Sequence, residues 1–313
     1  MSMNYRECAA LLSEKDKILL VSHKNPDGDT VGSAAALCSA LRRLGKTAYL
    51  YPNGQIIKKL RPYAEKFFAP ADFTPAYYVA VDVATEKLFA QGFEGKIDLC
   101  IDHHPTNSRY APQALIRDEK SSCGEIILEL IKAMGKGVSK EEATLLYIAL
   151  TTDTGCFQYA NVSARSLAAA SELVRLGADN REVSLVFFRK LSPARMKLEG
   201  MIYSSMSFHR DGKVTVAAVT RAMLSEAGAT EDDCDDLAGL AGRAEGSVVS
   251  VTIKETEEGD SKVSVRSSPE VSSSDICAVF GGGGHAMAAG CTIACPPEKA
   301  KEMLLAVIDE VWK

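Results

Sequence analysis

Five histidines serve a chain of 313 residues, and four of them lie in clusters rich in aspartate or glycine. Asp102-His103-His104 ends one apolar run, and His23-Lys24-Asn25-Pro26-Asp27-Gly28-Asp29-Thr30 follows another. Scarce imidazoles grouped with carboxylates point to divalent-metal chemistry, because both are ordinary ligands of hard and borderline cations. Asp27 and Asp29 have only glycine between them, so no bulky side chain keeps their carboxylates apart. Helix capping by Asp29 and a turn at Asp27 would account for the same two residues.

Three further aspartates follow apolar stretches, where a carboxylate is costly without a partner. They are Asp82 after Tyr78-Val79-Ala80-Val81, Asp102 after Leu99-Cys100-Ile101, and Asp153 after Ile148-Ala149-Leu150-Thr151-Thr152. One such residue would be a cap; the repetition suggests a shared purpose. Parallel strands deliver their carboxyl ends to one rim, so His23, Asp27, Asp29, Asp82, His103 and Asp153 can surround a single point. Carboxylates outnumber imidazoles and no thiolate joins them, which suits Mn²⁺ ahead of Mg²⁺, Fe²⁺ or Zn²⁺. Six ligands exceed the needs of one ion with open positions. Two ions sharing a bridging carboxylate, about 3.5–4 Å apart, would use them all, as in phosphate-ester hydrolysis.

The elements that must position these residues are legible as a rhythm. Lys17 to Ser22, Lys46 to Tyr51, Tyr77 to Val81 and Ile97 to Ile101 read as short strands, with Thr30 to Leu44 a helix between the first two. Helical patterns follow over Cys123 to Met134, Lys140 to Leu150 and Ala164 to Leu176. The expectation is an α/β catalytic domain over residues 1–190, a parallel sheet with helices on both faces. Phe188 to Ile202 reads as a connection with a helical second half, and residues 191–205 are taken as the linker. Residues 206–313 read as a smaller α+β domain, with strands Val214 to Val219, Ser247 to Ile253 and Lys262 to Arg266 and a closing helix from Lys299 to Lys313. The active-site cleft is expected between the two domains.

Several features are given ordinary readings. No apolar run approaches a membrane span, and Met1-Ser2-Met3-Asn4-Tyr5-Arg6-Glu7 lacks a signal-peptide core, so a cytoplasmic protein without membrane attachment is expected. A net charge of −5 argues against stable binding of duplex nucleic acid but leaves room for a small phosphorylated substrate. The nine cysteines have no Cys-x-x-Cys spacing and read as reduced thiols. The acidic run Glu231 to Asp236 precedes an apolar stretch and reads as a helix start. Gly45-Lys46-Thr47 is no phosphate loop, since Ala40 replaces the first glycine and these residues lead from a helix into a strand. Phe280-Gly281-Gly282-Gly283-Gly284-His285, with Ala286, Ala288 and Ala289 after it, reads as a loop entering a helix whose free N–H groups would hold a phosphate. Arg266, with Ser267 and Ser268 beside it, reads by itself as a surface residue, although its fork suits a second phosphate.

Together these stretches resemble the DHH phosphoesterases. The likeness runs through Ser22 to Ser33, Val81-Asp82, Ile101-Asp102-His103-His104-Pro105 and Thr152-Asp153-Thr154-Gly155, and continues into Phe280 to His285 and Ala288-Ala289-Gly290, which look like the signature of the DHH-associated domain. The resemblance implies two Mn²⁺, one held by His23 and Asp27 and the other by Asp29, His103 and Asp153, with Asp82 bridging. It places Asp102 behind an imidazole and His104 against the substrate, while Arg266, Ser267, Gly282, Gly283, Gly284 and His285 grip the nucleotide. The attacking species would be water activated by the two cations. The pairing of these two domains, with no further module, favours hydrolysis of short single-stranded RNA and of 3′-phosphoadenosine 5′-phosphate. Cyclic di-AMP or pApA would be an alternative substrate, and a nucleotide-binding protein without turnover an alternative class. The apolar helices between Cys123 and Leu176 are either core or the face of a homodimer.

Overall fold

Asn4 and Glu7 exchange hydrogen bonds at the start of α1 (Tyr5–Glu14), so the chain reaches its first strand from a capped helix. Ile18-Leu19-Leu20-Val21 is too short for a helix and forms β1 (Ile18–Val21), buried throughout as a central parallel strand must be. There follow α2 (Gly28–Arg43), β2 (Ala48–Leu50), α3 (Arg61–Ala64), β3 (Tyr77–Val81), β4 (Leu99–Asp102) and β5 (Gln113–Ile116). Then come α4 (Cys123–Ala133), α5 (Lys140–Asp153), α6 (Ala164–Arg175) and α7 (Asn180–Ser184), within a unit spanning Met1–Lys190. The computed structural model describes residues 2–234 and 237–312. Asp235 and Asp236 of the acidic run, and Lys313, lie outside the described residues; Glu231–Cys234 forms a short 3₁₀ turn.

The five strands make one parallel sheet in the order β2-β1-β3-β4-β5. From β1 the chain runs outward to β2 on one side, whereas β3, β4 and β5 proceed on the other. At such a switch the connections diverge, and a crevice opens beyond the carboxyl ends of β1 and β3.

Alternation along the strands divides two cores. Ile18, Leu20, Val79, Val81, Leu99, Ile101 and Leu115 face one way and pack with α1, α2, α4 and α5. Val21, Ala80, Cys100, Ala114 and Ile116 face the other. The expected helices on both faces are thus corrected to helices on one face. On the second face the strand residues are mostly small, and rings from connecting segments, Tyr51, Phe89, Phe93 and Tyr110, fill the space above them. Phe89 and Phe93 meet edge to face with centroids 5.4 Å apart, a favourable ring arrangement.

The second unit spans Leu191–Lys313. It contains α8 (Pro193–Ser205), β6 (Ser207–His209), β7 (Val214–Val219), α9 (Arg221–Ala227), β8 (Val249–Glu255), β9 (Ser261–Ser267), α10 (Ser273–Ala278), β10 (Gly283–His285), β11 (Ala288–Ile293) and α11 (Pro297–Val311). Its six strands form a mixed sheet in the order β10-β11-β9-β8-β7-β6, with only β7 and β8 parallel. The segment read as a linker is occupied by α8, whose Leu198 and Ile202 pack with Ala217 and Val219 of β7. The helix expected after the glycine run does not form. Gly283 to His285 instead pairs antiparallel with Ala288 to Gly290, because Gly282 and Gly284 approach that strand so closely that a Cβ would lie 2.3 Å from Gly290 O or 2.5 Å from Ala288 O. No helix among the described residues is long and apolar enough to cross a membrane.

Candidate active site

Each metal-site residue predicted in the first unit stands at the carboxyl end of a strand or at a helix end beside it. His23 leaves β1, Asp82 leaves β3, Asp102 ends β4 with His103 and His104 after it, and Asp153 is the last residue of α5. Asp27 is the N-cap of α2 and accepts the Thr30 N–H at 3.0 Å. Asp29 sits in the first turn and is fixed from elsewhere, accepting the N–H groups of Cys123 at 2.7 Å and Gly124 at 3.0 Å at the start of α4. A helix N-terminus favours a carboxylate there. Capping of α2 thus falls to Asp27 rather than to Asp29, and it is compatible with a place in a shared site. Gly28 between the two aspartates is required by packing, since a Cβ would lie 2.4 Å from Thr152 Oγ1 beside Asp153.

Three groups of potential ligands converge, in each of which the ligand atoms lie within 4.8 Å of one another. They are His23, Asp27 and Asp82; Asp29, His103 and Asp153; and Asp82, His103 and His104. His103 Nε2 stands 3.6 Å from Asp29 Oδ2, 3.6 Å from Asp82 Oδ1 and 3.7 Å from Asp153 Oδ2. All three imidazoles are oriented from behind. His23 Nδ1 lies 2.7 Å from Lys24 O, His103 Nδ1 3.2 Å from Lys120 O, and His104 Nδ1 2.7 Å from Asp102 Oδ1. A carbonyl or carboxylate only accepts, so each Nδ1 carries a proton and each Nε2 is left for other work.

The electrostatics show what these residues lack. Burial, then the charges of Asp82 and Asp153, push the Asp29 carboxyl well above its ordinary range. Burial and then Asp27 raise Asp82, whereas Asp153 is raised to about 7, chiefly by burial. Thr30 Oγ1, itself buried, faces His23 Nε2 at 2.6 Å, Asp82 Oδ2 at 2.7 Å and Asp27 Oδ1 at 3.1 Å. One hydroxyl proton thus serves three acceptors. Asp82 Oδ1 is buried with no hydrogen-bond partner, and Asp82 holds a left-handed backbone, φ +60°. Strain and an orphaned buried oxygen are tolerated where function requires them. Positive charge is what the cluster lacks, and divalent cations fit its donor set.

His104 is built differently. Its side chain is 41% exposed, against 13% for His103. Its hydrogen bond to Asp102 raises it to about 9 against the opposing effect of burial. Burial opposes ionisation of Asp102, yet hydrogen bonds from His104 and Asn107 hold its carboxyl below the usual range.

In the second unit, the strand register sets Arg266 of β9 opposite Ala288 of β11, and Ala288 opposite His285 of β10. Arg266 and His285, both exposed, therefore flank one small residue in a row across the sheet. Gly283 and Gly284 are exposed beside them and Gly282 is half-buried. Ser267 lies next to Arg266, but its hydroxyl is engaged within the unit, 2.6 Å from Val271 O and 2.8 Å from Ser273 Oγ. Neither Thr30 nor Asn107 is conspicuous in the sequence. Thr30 reads as a helix start and Asn107 as an ordinary turn residue by type, and each adds to its local contacts one with a distant residue, Asp82 and Val83 respectively.

Comparison with known proteins accords with this architecture. The model of the DHH family, N-terminal domain, matches residues 17–150, and that of the DHHA1 domain matches residues 211–313. The bifunctional oligoribonuclease and PAP phosphatase NrnA of Thermus thermophilus is 35% identical over 298 residues, covering 94% of this chain and 89% of its own length. The chain belongs to the DHH family and is a phosphoesterase, a hydrolase. The Bacillus subtilis protein of the same name is 27% identical over 302 residues, with 92% of each chain covered. Among solved structures, an exopolyphosphatase-related protein from Bacteroides fragilis shares the fold, with a TM-score of 0.87 at 23% identity and coverage of 98% of this chain and 96% of its own.

Proposed function

We propose that this phosphoesterase is a dinuclear, Mn²⁺-dependent hydrolase that degrades short oligoribonucleotides and removes the 3′-phosphate of 3′-phosphoadenosine 5′-phosphate. The observation that carries the reading is the cation-deficient cluster around Thr30 and Asp82, where acceptors outnumber donors at the switch point of a parallel sheet. The names of the Thermus thermophilus and Bacillus subtilis relatives support the substrates. His23 and Asp27 would hold one ion, Asp29, His103 and Asp153 the other, and Asp82 would serve both. Two bound cations would supply charge that acidifies water and neutralises phosphoryl oxygens.

The chain's own residues do the rest. Asp102 holds His104 by Nδ1, and the free Nε2 gives a proton to the departing ribose oxygen. Arg266 and His285 would bind the phosphate and sugar of the nucleotide, beside the close backbone approach that Gly282 and Gly284 permit and the exposed backbone of Gly283. The test is a kinetic panel with Mn²⁺ on two- to five-residue RNA, 3′-phosphoadenosine 5′-phosphate, pApA, cyclic di-AMP and pyrophosphate. The highest kcat/KM is expected for the first two. Preference for cyclic di-AMP or pyrophosphate would overturn the substrate assignment, and equal rates after complete metal removal would overturn the dinuclear site.

A further inference from the structure

Asn107 closes the turn that follows Asp102-His103-His104, and its side-chain amide is fully employed. Nδ2 donates to Asp102 Oδ2 at 2.6 Å and to Val83 O at 3.3 Å, while Oδ1 accepts the Arg109 N–H at 2.7 Å. Its backbone N–H donates to His104 O at 3.1 Å. One amide thus ties the end of β3, through Val83, to the end of β4, through Asp102. Asp102 is wholly buried, and its other oxygen accepts His103 N at 2.8 Å and the His104 ring at 2.7 Å.

A carboxylate fixed through one oxygen alone can still turn about its last bond, because that torsion is broad. Such rotation would release the imidazole it orients. We infer that Asn107 is a positioning residue for proton delivery to the leaving group: by pinning Asp102 Oδ2 it fixes Asp102 Oδ1 on His104 Nδ1 and so aims His104 Nε2. The logic is that of a catalytic group oriented by a second residue, extended to a third. The inference rests on His104 being the proton donor. In the step concerned, a water oxygen bonds to phosphorus and the bond from phosphorus to the ribose oxygen breaks. The His104 Nε2 proton passes to that oxygen, the proton lost by water goes to solvent, and solvent reprotonates His104.

The test compares leaving groups. A ribodinucleotide expels an alkoxide that needs the proton, whereas the 4-nitrophenyl ester of a 5′-nucleotide expels a phenoxide that does not. Single-turnover rates are measured for the Mn²⁺-loaded wild type, Asn107→Ala, Asn107→Asp and His104→Ala. Asn107→Ala is expected to slow the dinucleotide about ten- to a hundredfold more than the aryl ester, within the range for lost outer-layer partners of a site, with KM nearly constant. Asn107→Asp is expected to be at least as selective, since it sets a second carboxylate against Asp102 Oδ2. If His104→Ala is selective but both Asn107 variants slow the two substrates equally, or neither, Asn107 only stabilises the turn and the inference falls. If His104→Ala is itself unselective, the assignment of His104 falls, and the inference with it.

Discussion

Asp82 concentrates the demands of the site in one residue. Its backbone is left-handed, Oδ2 shares the Thr30 hydroxyl, and Oδ1 faces His103 and His104 at 3.6 Å without a hydrogen bond. Asparagine tolerates that backbone better than alanine does and keeps the shape while removing the charge. Asp82→Asn should therefore lower phosphohydrolase turnover by at least about a hundredfold, with a metal-free melting temperature equal to or above that of the wild type. A large drop in melting temperature would make Asp82 a structural residue first. Thr30 allows a second test. Thr30→Val keeps the packing volume but removes the only hydroxyl among three acceptors, so Mn²⁺ affinity by calorimetric titration should fall about tenfold. Thr30→Ser should restore most of it, and equal affinities for Val and Ser would show that the hydroxyl does not order the ligands.

At the scale of elements, the close packing of α2 on α5 sets the spacing of Asp27, Asp29 and Asp153. Gly32 lies where a Cβ would meet Leu145 O at 2.4 Å, and Gly28 where it would meet Thr152 Oγ1 at the same distance. Gly28→Ala should force the two helix ends apart, costing about 1–3 kcal/mol of stability and weakening Mn²⁺ binding more than Gly32→Ala does, since Gly28 lies beside the ligands. Equal metal affinity in the two variants would contradict this. The strand ends were legible in the sequence because an aspartate after a buried apolar run is conspicuous. Less was legible where long-range pairing decides. β5 is four residues long, and its pairing with β4 gives it a strand's identity. Glycines 281 to 284 carry no periodicity and read as a helix start, whereas pairing with β11 makes Gly283 to His285 a strand. Thr30 and Asn107 were missed for the same reason. Thr30 meets Asp82, 52 residues away, and Asn107 meets Val83, 24 residues away; no local pattern encodes either contact.

For the whole molecule, the buried carboxylates make stability depend jointly on pH and metal. Asp29, Asp82 and Asp153 are all raised in the folded protein, Asp153 to about 7. A carboxyl raised on folding holds more protons folded than unfolded. Its stabilising share is complete below the unfolded value near 4 and is lost as pH rises through the folded value. From Asp153 the metal-free protein should therefore lose stability between about pH 4 and 7, and Asp29 and Asp82 add losses of the same sign. Mn²⁺ reverses the trend because it binds the ionised form, so its affinity climbs over the same interval. At a hundred times Kd, each ion adds about 2.7 kcal/mol. Each kcal/mol moves the midpoint of a domain the size of the 190-residue first unit by about 2–4 °C. Thermal melts with and without Mn²⁺ should then differ by roughly 5–10 °C per ion at pH 8 and by much less at pH 5.5. A shift as large at pH 5.5 as at pH 8 would mean that the cation binds elsewhere than among these aspartates.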